Sequence, residues 1–436
     1  MVSLEEKLLN PIKTFGKGGR LLMVVLLFFI ALGFSAWIRQ LISGLCVTGM
    51  NKPVLWGVYI TNFVFFVGIS HAGTFISAIL RILHAEWRRP LTRAAEAVTV
   101  FSLPFAAVSI VADLGRPGRI LNVIRYARIQ SPILWDVTCI GIYLLSSVIF
   151  FYLALLPDIA ICRDKLTDVS KFKRWLYRKL SFGWQAMPEK QKKLEKGMAV
   201  FLTVLVVTVH TVVAWIFGMT VQPGWRTTII GPYFLVGAIF SGVATVIIIS
   251  AILRKLYHLE DILKPIHFNN LGKLLLVLSL FWFYFTFTEY LSAFYWNDPM
   301  EMSVVKEKFF GDYARLFWFM VISCFVIPLF ILVNPKTRTI TGTVIVSMFV
   351  NVGMWLERFL VIIPTLSQPR LPYSRGIYHP TWVEWSITLA CFSGLILLYL
   401  IFAKLFPVIS IWEMKEGKEK AIQEVTERYK SYHPEV

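Results

Sequence analysis

Long apolar stretches separated by short polar segments recur along almost the whole chain. At about 1.5 Å of helical rise per residue, a stretch of about 20 residues crosses the ~30 Å hydrocarbon core of a bilayer. The pattern therefore predicts an all-α polytopic membrane protein with about ten transmembrane helices, at residues 21–37, 54–80, 94–112, 133–156, 200–217, 233–253, 274–295, 316–333, 340–363 and 383–406.

Composition supports the same class of protein. With 57% hydrophobic and only 16% charged residues, a chain of 436 residues has too little polar surface for a soluble globule. Its five cysteines are scattered and form no CxxC pair. We therefore expect no iron–sulfur cluster, zinc site or other metal on this chain, and neither haem nor flavin.

The basic residues that give the net charge of +18 are distributed over the loops, and they do not form a patch of the kind that binds nucleic acid. With a cytoplasmic N-terminus, the loops on the cytoplasmic side hold about 21 lysines and arginines, against about 12 in the opposite loops. We expect a bacterial inner-membrane protein with both termini cytoplasmic. Its surroundings would be membrane lipid, and nucleic acid is not an expected partner.

One outer loop departs from this bias, between the third and fourth predicted helices. It carries four arginines, Arg116, Arg119, Arg125 and Arg128. Two explanations stay open. Either four arginines are too few to overturn the bias of the other loops, or this loop docks a partner subunit or anionic groups.

An internal repeat suggests how the helices are organised. The hexamer Ile-Ser-Ala-Ile-Leu-Arg occurs at 76–81 and again at 249–254, near the same ends of the second and sixth helices. We expect two related four-helix bundles, helices 2–5 and 6–9, flanked by helices 1 and 10. The predicted units are 1–53 (N-terminus and first helix), 54–157 (helices 2–4), 158–198 (basic cytoplasmic loop), 199–222 (helix 5), 223–365 (second bundle) and 366–436 (periplasmic loop, last helix and tail).

Ionisable side chains inside the predicted spans are few, and each is costly to bury in a membrane. Those taken as candidates for chemistry, within the spans or at their ends, are His71, Asp113, Asp136, His210, Glu289 beside Tyr290, Glu357 beside Arg358, and Glu384. Most of the acids lie toward the outer side. A quinone needs hydrogen bonds to its two carbonyls and groups that exchange two protons, so the set predicts a quinone site.

Three other interpretations remain open at this point. The charged residues could be structural pairs at helix ends. His71 and His210 could ligate the haem of a b-type cytochrome. Repeated bundles with buried charges are also found in secondary transporters of ions or protons.

Two motifs resemble the NrfD/PsrC family of membrane subunits. They are Asp113-Leu114-Gly115-Arg116-Pro117 and the preceding segment Gly-Ile-Ser-His-Ala-Gly-Thr at 68–74. Ser-Pro-Ile-Leu-Trp-Asp at 131–136 and Met-Trp-Leu-Glu-Arg at 354–358 are similar to the ten-helix branch of this family. That branch occurs in alternative complex III and in the Qrc quinone reductase complex.

The resemblance implies a subunit without its own cofactor, whose periplasmic quinone site lies under an iron–sulfur partner. Multihaem cytochrome c and molybdopterin-like subunits are further implied partners. The site residues expected on this chain are His71, Asp113 and Asp136 as catalytic groups; His71, Asp113, Arg116, Glu289 and Tyr290 around the quinone; and His210, Glu289, Glu357 and Arg358 in proton transfer.

Two departures from the alternative complex III pattern bear on the direction of the reaction. Ile216 stands where that pattern has an aspartate, and Glu289-Tyr290 stands where it has Gln-Tyr. These changes favour menaquinone reduction in a Qrc-type complex. Quinol oxidation, as in alternative complex III, is the alternative, and the isolated subunit is expected to have no turnover.

Overall fold

In the described part of the chain, ten helices long and apolar enough to span a membrane form the body of the molecule. The computed structural model describes residues 4–13, 16–166, 168–182, 184, 188–220, 222–368 and 375–432. The prediction of an all-α protein with about ten spans is confirmed. The spans are α1 (Lys17–Ser43), α2 (Val58–Ile82), α3 (Arg89–Asp113), α4 (Pro132–Lys165), α5 (Pro188–Gly218), α6 (Ile230–Leu256), α7 (Pro265–Trp296), α8 (Ala314–Leu332), α9 (Ile340–Ser367) and α10 (Trp382–Leu405).

Helix α2 lies at the centre, where it packs against α3, α5, α6, α9 and α10. Helices α2–α5 contact one another in a ring, and α6–α9 do the same around α6 and α9. Helix α10 packs on α1 and α3. We refer to α2–α5 and α6–α9 as the two helix groups. That they form two related four-helix bundles flanked by α1 and α10, and the proposed unit boundaries, stay predictions.

The two identical hexamers adopt different local structures. In α2 the first lies largely in a π-helical turn, Phe75–Ile79, whereas the second continues the regular α-helix of α6. A π-turn widens the helix by one residue and is frequent at functional sites. The sequence repeat therefore does not carry over into the local backbone geometry.

The two ends of the helix bundle differ in what covers them. One end, here the terminal face, carries three further helices, Leu4–Lys13, Lys171–Leu180 and Ile411–Tyr432. Ion pairs join Glu5 to Lys165 and Lys415, so the first and last described helices meet there. The other end, the loop face, carries residues 114–131 and the helix Pro299–Phe309. Which face is cytoplasmic stays a prediction from charge.

The sides of the bundle are suited to lipid. Exposed apolar side chains cover α1, including Leu21 at 67% and Phe28 at 63% exposure. Because water is absent from the bilayer core, such residues are stable only against acyl chains or another apolar surface. The buried polar residues instead lie between helices.

Candidate functional site

Two histidines from separate helices meet in the middle of the molecule. The ring centroids of His71 on α2 and His210 on α5 lie 4.6 Å apart. His71 Nδ1 donates to the Val67 carbonyl oxygen at 2.6 Å, and the Tyr143 ring of α4 lies 5.3 Å from the His71 ring. Within the part of the chain that the structure describes, His71 Nε2 and both ring nitrogens of His210 have no hydrogen-bond partner.

A buried ion pair on α9 lies next to this histidine pair. Arg358 Nη1 is 3.1 Å from a Glu357 carboxylate oxygen, and both side chains are almost fully buried. The Arg358 guanidinium lies 4.4 Å from the centroid of the Phe234 ring, and Nη2 donates to the Phe234 carbonyl at 3.3 Å. The Phe234 ring in turn packs on His210, with centroids 6.2 Å apart.

Gly237 on α6 makes room for this guanidinium. A Cβ at this position would lie 2.7 Å from Arg358 Nη2 and 2.8 Å from Met354 Cε. A side chain there would displace the arginine. The charge of Arg358 thereby stays close enough to act electrostatically on both histidines.

Glu289 lies on the wall of a cavity of about 930 Å³ at the loop face. Thr227, from the segment before α6, lies on the same wall. Its rim includes aromatic residues at the end of α7, Tyr295 and Trp296, which are 90% and 78% exposed, and the charged residues Arg226, Asp298 and Glu301. The cavity thus holds a partly buried carboxylate near an exposed aromatic rim.

Tyr290 does not line this cavity but lies behind it. Its ring packs on Phe309 at 5.0 Å and Phe317 at 5.4 Å, between centroids. Tyr290 and Tyr233 both lie within electrostatic range of Glu357. The two tyrosines therefore fill the space between Glu289 and the Glu357–Arg358 pair.

Lys308 is a residue of this region that the sequence analysis missed. It belongs to the helix Pro299–Phe309, yet only 6% of it is exposed, and its amine lies 5.8 Å from the Tyr290 ring centroid. Burial lowers the pKa of Lys308, while the carboxylates of Glu289 and Glu357 act in the opposite direction. In the sequence it is one of two nearby lysines in a loop, so no pattern marks it.

Asp113 lies elsewhere, at the loop-face end of α3. Its neighbourhood includes Tyr59, whose hydroxyl donates to Gln40 Oε1 at 2.5 Å. The helical rise puts Tyr59 about 18 Å from His71 along α2. Asp113 thus lies toward the Tyr59 end of α2, and a shared role of His71 and Asp113 around one quinone headgroup stays a prediction.

Glu384, near Asp113, has a structural role. Its carboxylate accepts from the Gly49 amide at 2.7 Å and the Thr381 amide at 2.9 Å, and from the Tyr378 hydroxyl. Burial and the neighbouring carboxylate of Glu384 raise the pKa of Tyr378, so its hydroxyl remains a donor. These bonds tie the segment after α1 to the start of α10.

Two further predicted residues, Asp136 and Arg116, do not line the Glu289 cavity. Asp136 is 5% exposed near the start of α4, and the helical rise puts it about 10 Å from Tyr143. Arg116 is exposed, in a loop that also exposes large apolar side chains. These are Leu121, Ile124, Tyr126 and Ile129.

Two cofactor hypotheses can be tested against this geometry. A haem between His71 and His210 would require an iron and a porphyrin plane between the rings, and rings 4.6 Å apart leave no such space. For metal ions, no cluster of three or more His, Cys, Asp or Glu ligands occurs among the described residues.

In the described part of the chain, ten spans with polar residues buried between them define a multi-pass membrane protein. Residues 46–369 match the family model described as "Polysulphide reductase, NrfD", so the chain belongs to the NrfD family. The resemblance found in the motifs is thereby confirmed.

Several proteins with established names resemble the chain over most of its length. The Hdr-like menaquinol oxidoreductase integral membrane subunit of Archaeoglobus fulgidus is 25% identical, covering 93% of this chain and 95% of the relative. The menaquinone reductase integral membrane subunit of Nitratidesulfovibrio vulgaris is 21% identical, over 86% and 88%. A selenate reductase subunit of Mesobacillus selenatarsenatis is 23% identical, over 90% and 95%.

Proposed function

We propose that this chain is the quinone-reactive membrane subunit of a multisubunit oxidoreductase, and that the quinone headgroup binds in the loop-face cavity at Glu289. The observation that carries the proposal is the cavity itself. Its volume of about 930 Å³ falls within the range of small-molecule sites, and its wall carries a partly buried carboxylate and two exposed aromatic side chains. A quinone with an apolar tail needs this combination.

The residues around the cavity suit proton exchange with a quinone carbonyl. Glu289 can take or give a proton at the headgroup, and Thr227 can donate a hydrogen bond. Behind Glu289, Tyr290 and the Glu357–Arg358 pair supply further groups for proton transfer toward His210. Electrons would come from or go to a partner subunit docked on the loop face.

The proposal favours menaquinone as substrate and quinone reduction as direction. Two relatives that match over most of their length are named as a menaquinol oxidoreductase subunit and a menaquinone reductase subunit, which supports menaquinone as the substrate. Glu289 itself, in place of the glutamine of the alternative complex III pattern, favours a Qrc-type complex. The exposed arginines and apolar residues of 114–131 make this segment the candidate docking surface for an iron–sulfur partner.

A second candidate place for the quinone is the Asp113 region, which the motif Asp113 to Pro117 favours. Asp113 Oδ1 is buried and has no hydrogen-bond partner within the described ranges. Arg116 is exposed nearby. The two places lie in different helix groups, so mutations can distinguish them.

The test uses the complex that co-purifies with the tagged full-length chain, assayed with a menadione-type naphthoquinone. Glu289→Gln should lower quinone-dependent turnover per assembled complex by about 10²-fold, the range for a positioned acid or base. Glu260→Gln, an exposed glutamate of the terminal face, is the matched control. Normal turnover in Glu289→Gln with a large loss in Asp113→Asn would move the site to the Asp113 region. Normal turnover in both Glu289→Gln and Asp113→Asn would contradict both candidate quinone sites.

A further inference from the structure

The helix Lys171–Leu180, here the linking helix, lies between α4 and α5 at the terminal face. Five of its ten residues are basic and none is acidic. The Ser170 hydroxyl caps its first turn, where it accepts a hydrogen bond from the Lys173 amide. Because the proposed quinone site lies at the loop face, the role of the linking helix is a separate question.

One side of the linking helix is fixed to the body of the protein, close to where the spans end. Tyr177 is buried, and its hydroxyl donates at 2.7 Å to the carbonyl oxygen of Leu405, the last residue of α10. The Leu180 carbonyl accepts from the Tyr152 hydroxyl of α4 at 2.6 Å. Since α10 ends at Leu405, the linking helix lies at the level where the spans meet the membrane surface.

The outward side of the linking helix carries two large aromatic side chains. Phe172 and Trp175 are 61% and 56% exposed. Their rings stack on each other, with centroids 6.2 Å apart and an angle of 27° between the planes. An exposed aromatic pair is unfavourable in water, but it suits the boundary between lipid headgroups and acyl chains, where tryptophan is enriched. The pair therefore indicates contact with lipid.

The exposed cations of the linking helix differ from other lysines at this face, because Lys165 and Lys192 pair with glutamates. Within the described ranges, no ion pair is formed by its four exposed basic residues, Lys171, Arg174, Arg178 and Lys179. At about 100° per residue, Arg174 and Arg178 lie on the flank of the helix that is turned away from Phe172. Their charges are thus available to an anion outside the chain.

We infer that the linking helix binds anionic phospholipid in the leaflet at the terminal face. The rings of Phe172 and Trp175 enter the boundary between headgroups and acyl chains, and the guanidinium groups of Arg174 and Arg178 bind phosphate oxygens. The excess of positive charge favours an anionic headgroup over a zwitterionic one. A phosphate ion in solution could not use the aromatic pair, so the ligand is a lipid.

The test uses the delipidated full-length chain in dodecylmaltoside micelles, with dioleoyl-phosphatidylglycerol added at increasing mole fraction. A ligand that binds the folded state raises the thermal midpoint, and dioleoyl-phosphatidylcholine should raise it much less. The double variant Arg174→Gln/Arg178→Gln should need about tenfold more phosphatidylglycerol for half of the shift. The control Lys336→Gln/Lys418→Gln removes two exposed lysines of the same face and should match wild type.

Two further variants separate charge from apolar contact. Arg174→Lys/Arg178→Lys keeps the charge and should keep most of the affinity for phosphatidylglycerol. Phe172→Ala/Trp175→Ala should weaken binding of this lipid, because truncation removes the part of the contact that enters the acyl boundary.

Three outcomes would overturn the inference. One is an equal shift with the two lipids in wild type, or a titration unchanged in the Arg-to-Gln variant. Another is an equal shift with glycerol 3-phosphate, which would show a site for soluble phosphate. The third is loss of a co-purifying subunit from the aromatic variant with its lipid titration unchanged, which would assign the surface to a protein partner. If a variant does not fold, the comparison of the two lipids on wild type decides.

Discussion

The imidazole of His71 on α2 contacts the imidazole of His210 on α5, although the two residues belong to distant parts of the sequence. The contact lies where α2, α5 and α6 meet, and α9 contributes Arg358 beside it. It is therefore one point at which polar groups of α2–α5 approach those of α6–α9; the hydrogen bond from Trp355 Nε1 to Asn62 Oδ1 is another.

The first prediction concerns this histidine pair. His71→Phe and His210→Phe should each lower quinone-dependent turnover per assembled complex by about 10²-fold, because each removes a proton carrier and keeps a ring of similar size. Reduction of a soluble redox dye by the partner subunits should be spared. His379→Phe, an exposed histidine at the loop face, serves as the control. Unchanged turnover in both buried variants would mean that the pair only packs the helices.

The second prediction concerns orientation in the membrane. A single cysteine at Lys190, on the terminal face, should be inaccessible to an impermeant thiol reagent in intact cells, and one at Met300, on the loop face, should be accessible. Cys46 is exposed near the loop-face end of α1 and must be replaced by serine in both variants. Reversed labelling would put Glu289 on the cytoplasmic side.

The number and order of the spans could be predicted because a helix needs about 20 apolar residues to cross the bilayer. The site could be predicted only as a set of candidates. The sequence shows that His71, Asp113 and Glu289 are ionisable and within spans, but not their depth or which helices touch. The distance between His71 and Asp113 depends on how α2 and α3 slide against each other, and no local pattern encodes that.

Residues that act from outside the spans were harder still to find. Lys308 and Glu413 are ordinary charged residues in polar segments, and only the fold reveals that both are buried. Glu96 lies within the third predicted span, but only the fold shows that it is 3% exposed and accepts a hydrogen bond from the Ser77 hydroxyl of α2. The pattern of apolar residues reports burial in lipid, and says little about burial between helices.

The third prediction concerns close packing between α2 and α3. A Cβ at Gly73 would press on the Ala95 backbone and the Thr99 side chain, so Gly73→Ala should destabilise the protein by about 1–3 kcal/mol. A Cβ added at Gly141 on α4 would instead lie in open space. Gly141→Ala should be neutral or stabilising by up to about 1 kcal/mol, as expected for helical propensity. Thermal unfolding in detergent measures both, and equal effects of the two variants would contradict this packing.

The last prediction concerns the pH dependence of the contact between the C-terminal helix and α3. Glu413 pairs with Arg81 at 2.5 Å and with Arg88 at 3.1 Å. Burial alone would raise the pKa of Glu413, but the charges of Arg81, Arg88 and Arg93 outweigh burial, and the pKa lies below its usual value of 4.5. The ionised carboxylate therefore contributes stability above pH 4.5, and this contribution is lost as the pH falls through the lower folded-state pKa.

Glu413→Gln should consequently lower the thermal midpoint at pH 7. The expected loss of stability is about 3 kcal/mol, because Arg88 loses its ion pair and Arg81 keeps only the pair with Glu195. The gap between wild type and Glu413→Gln should close as the pH falls below 4.5, since wild type then loses the same charge. Glu419→Gln, exposed on the same helix, should follow wild type at every pH. A gap that stays constant from pH 7 to about pH 3 would show that Glu413 contributes through its shape and hydrogen bonds, and that its charge does not hold the helix in place.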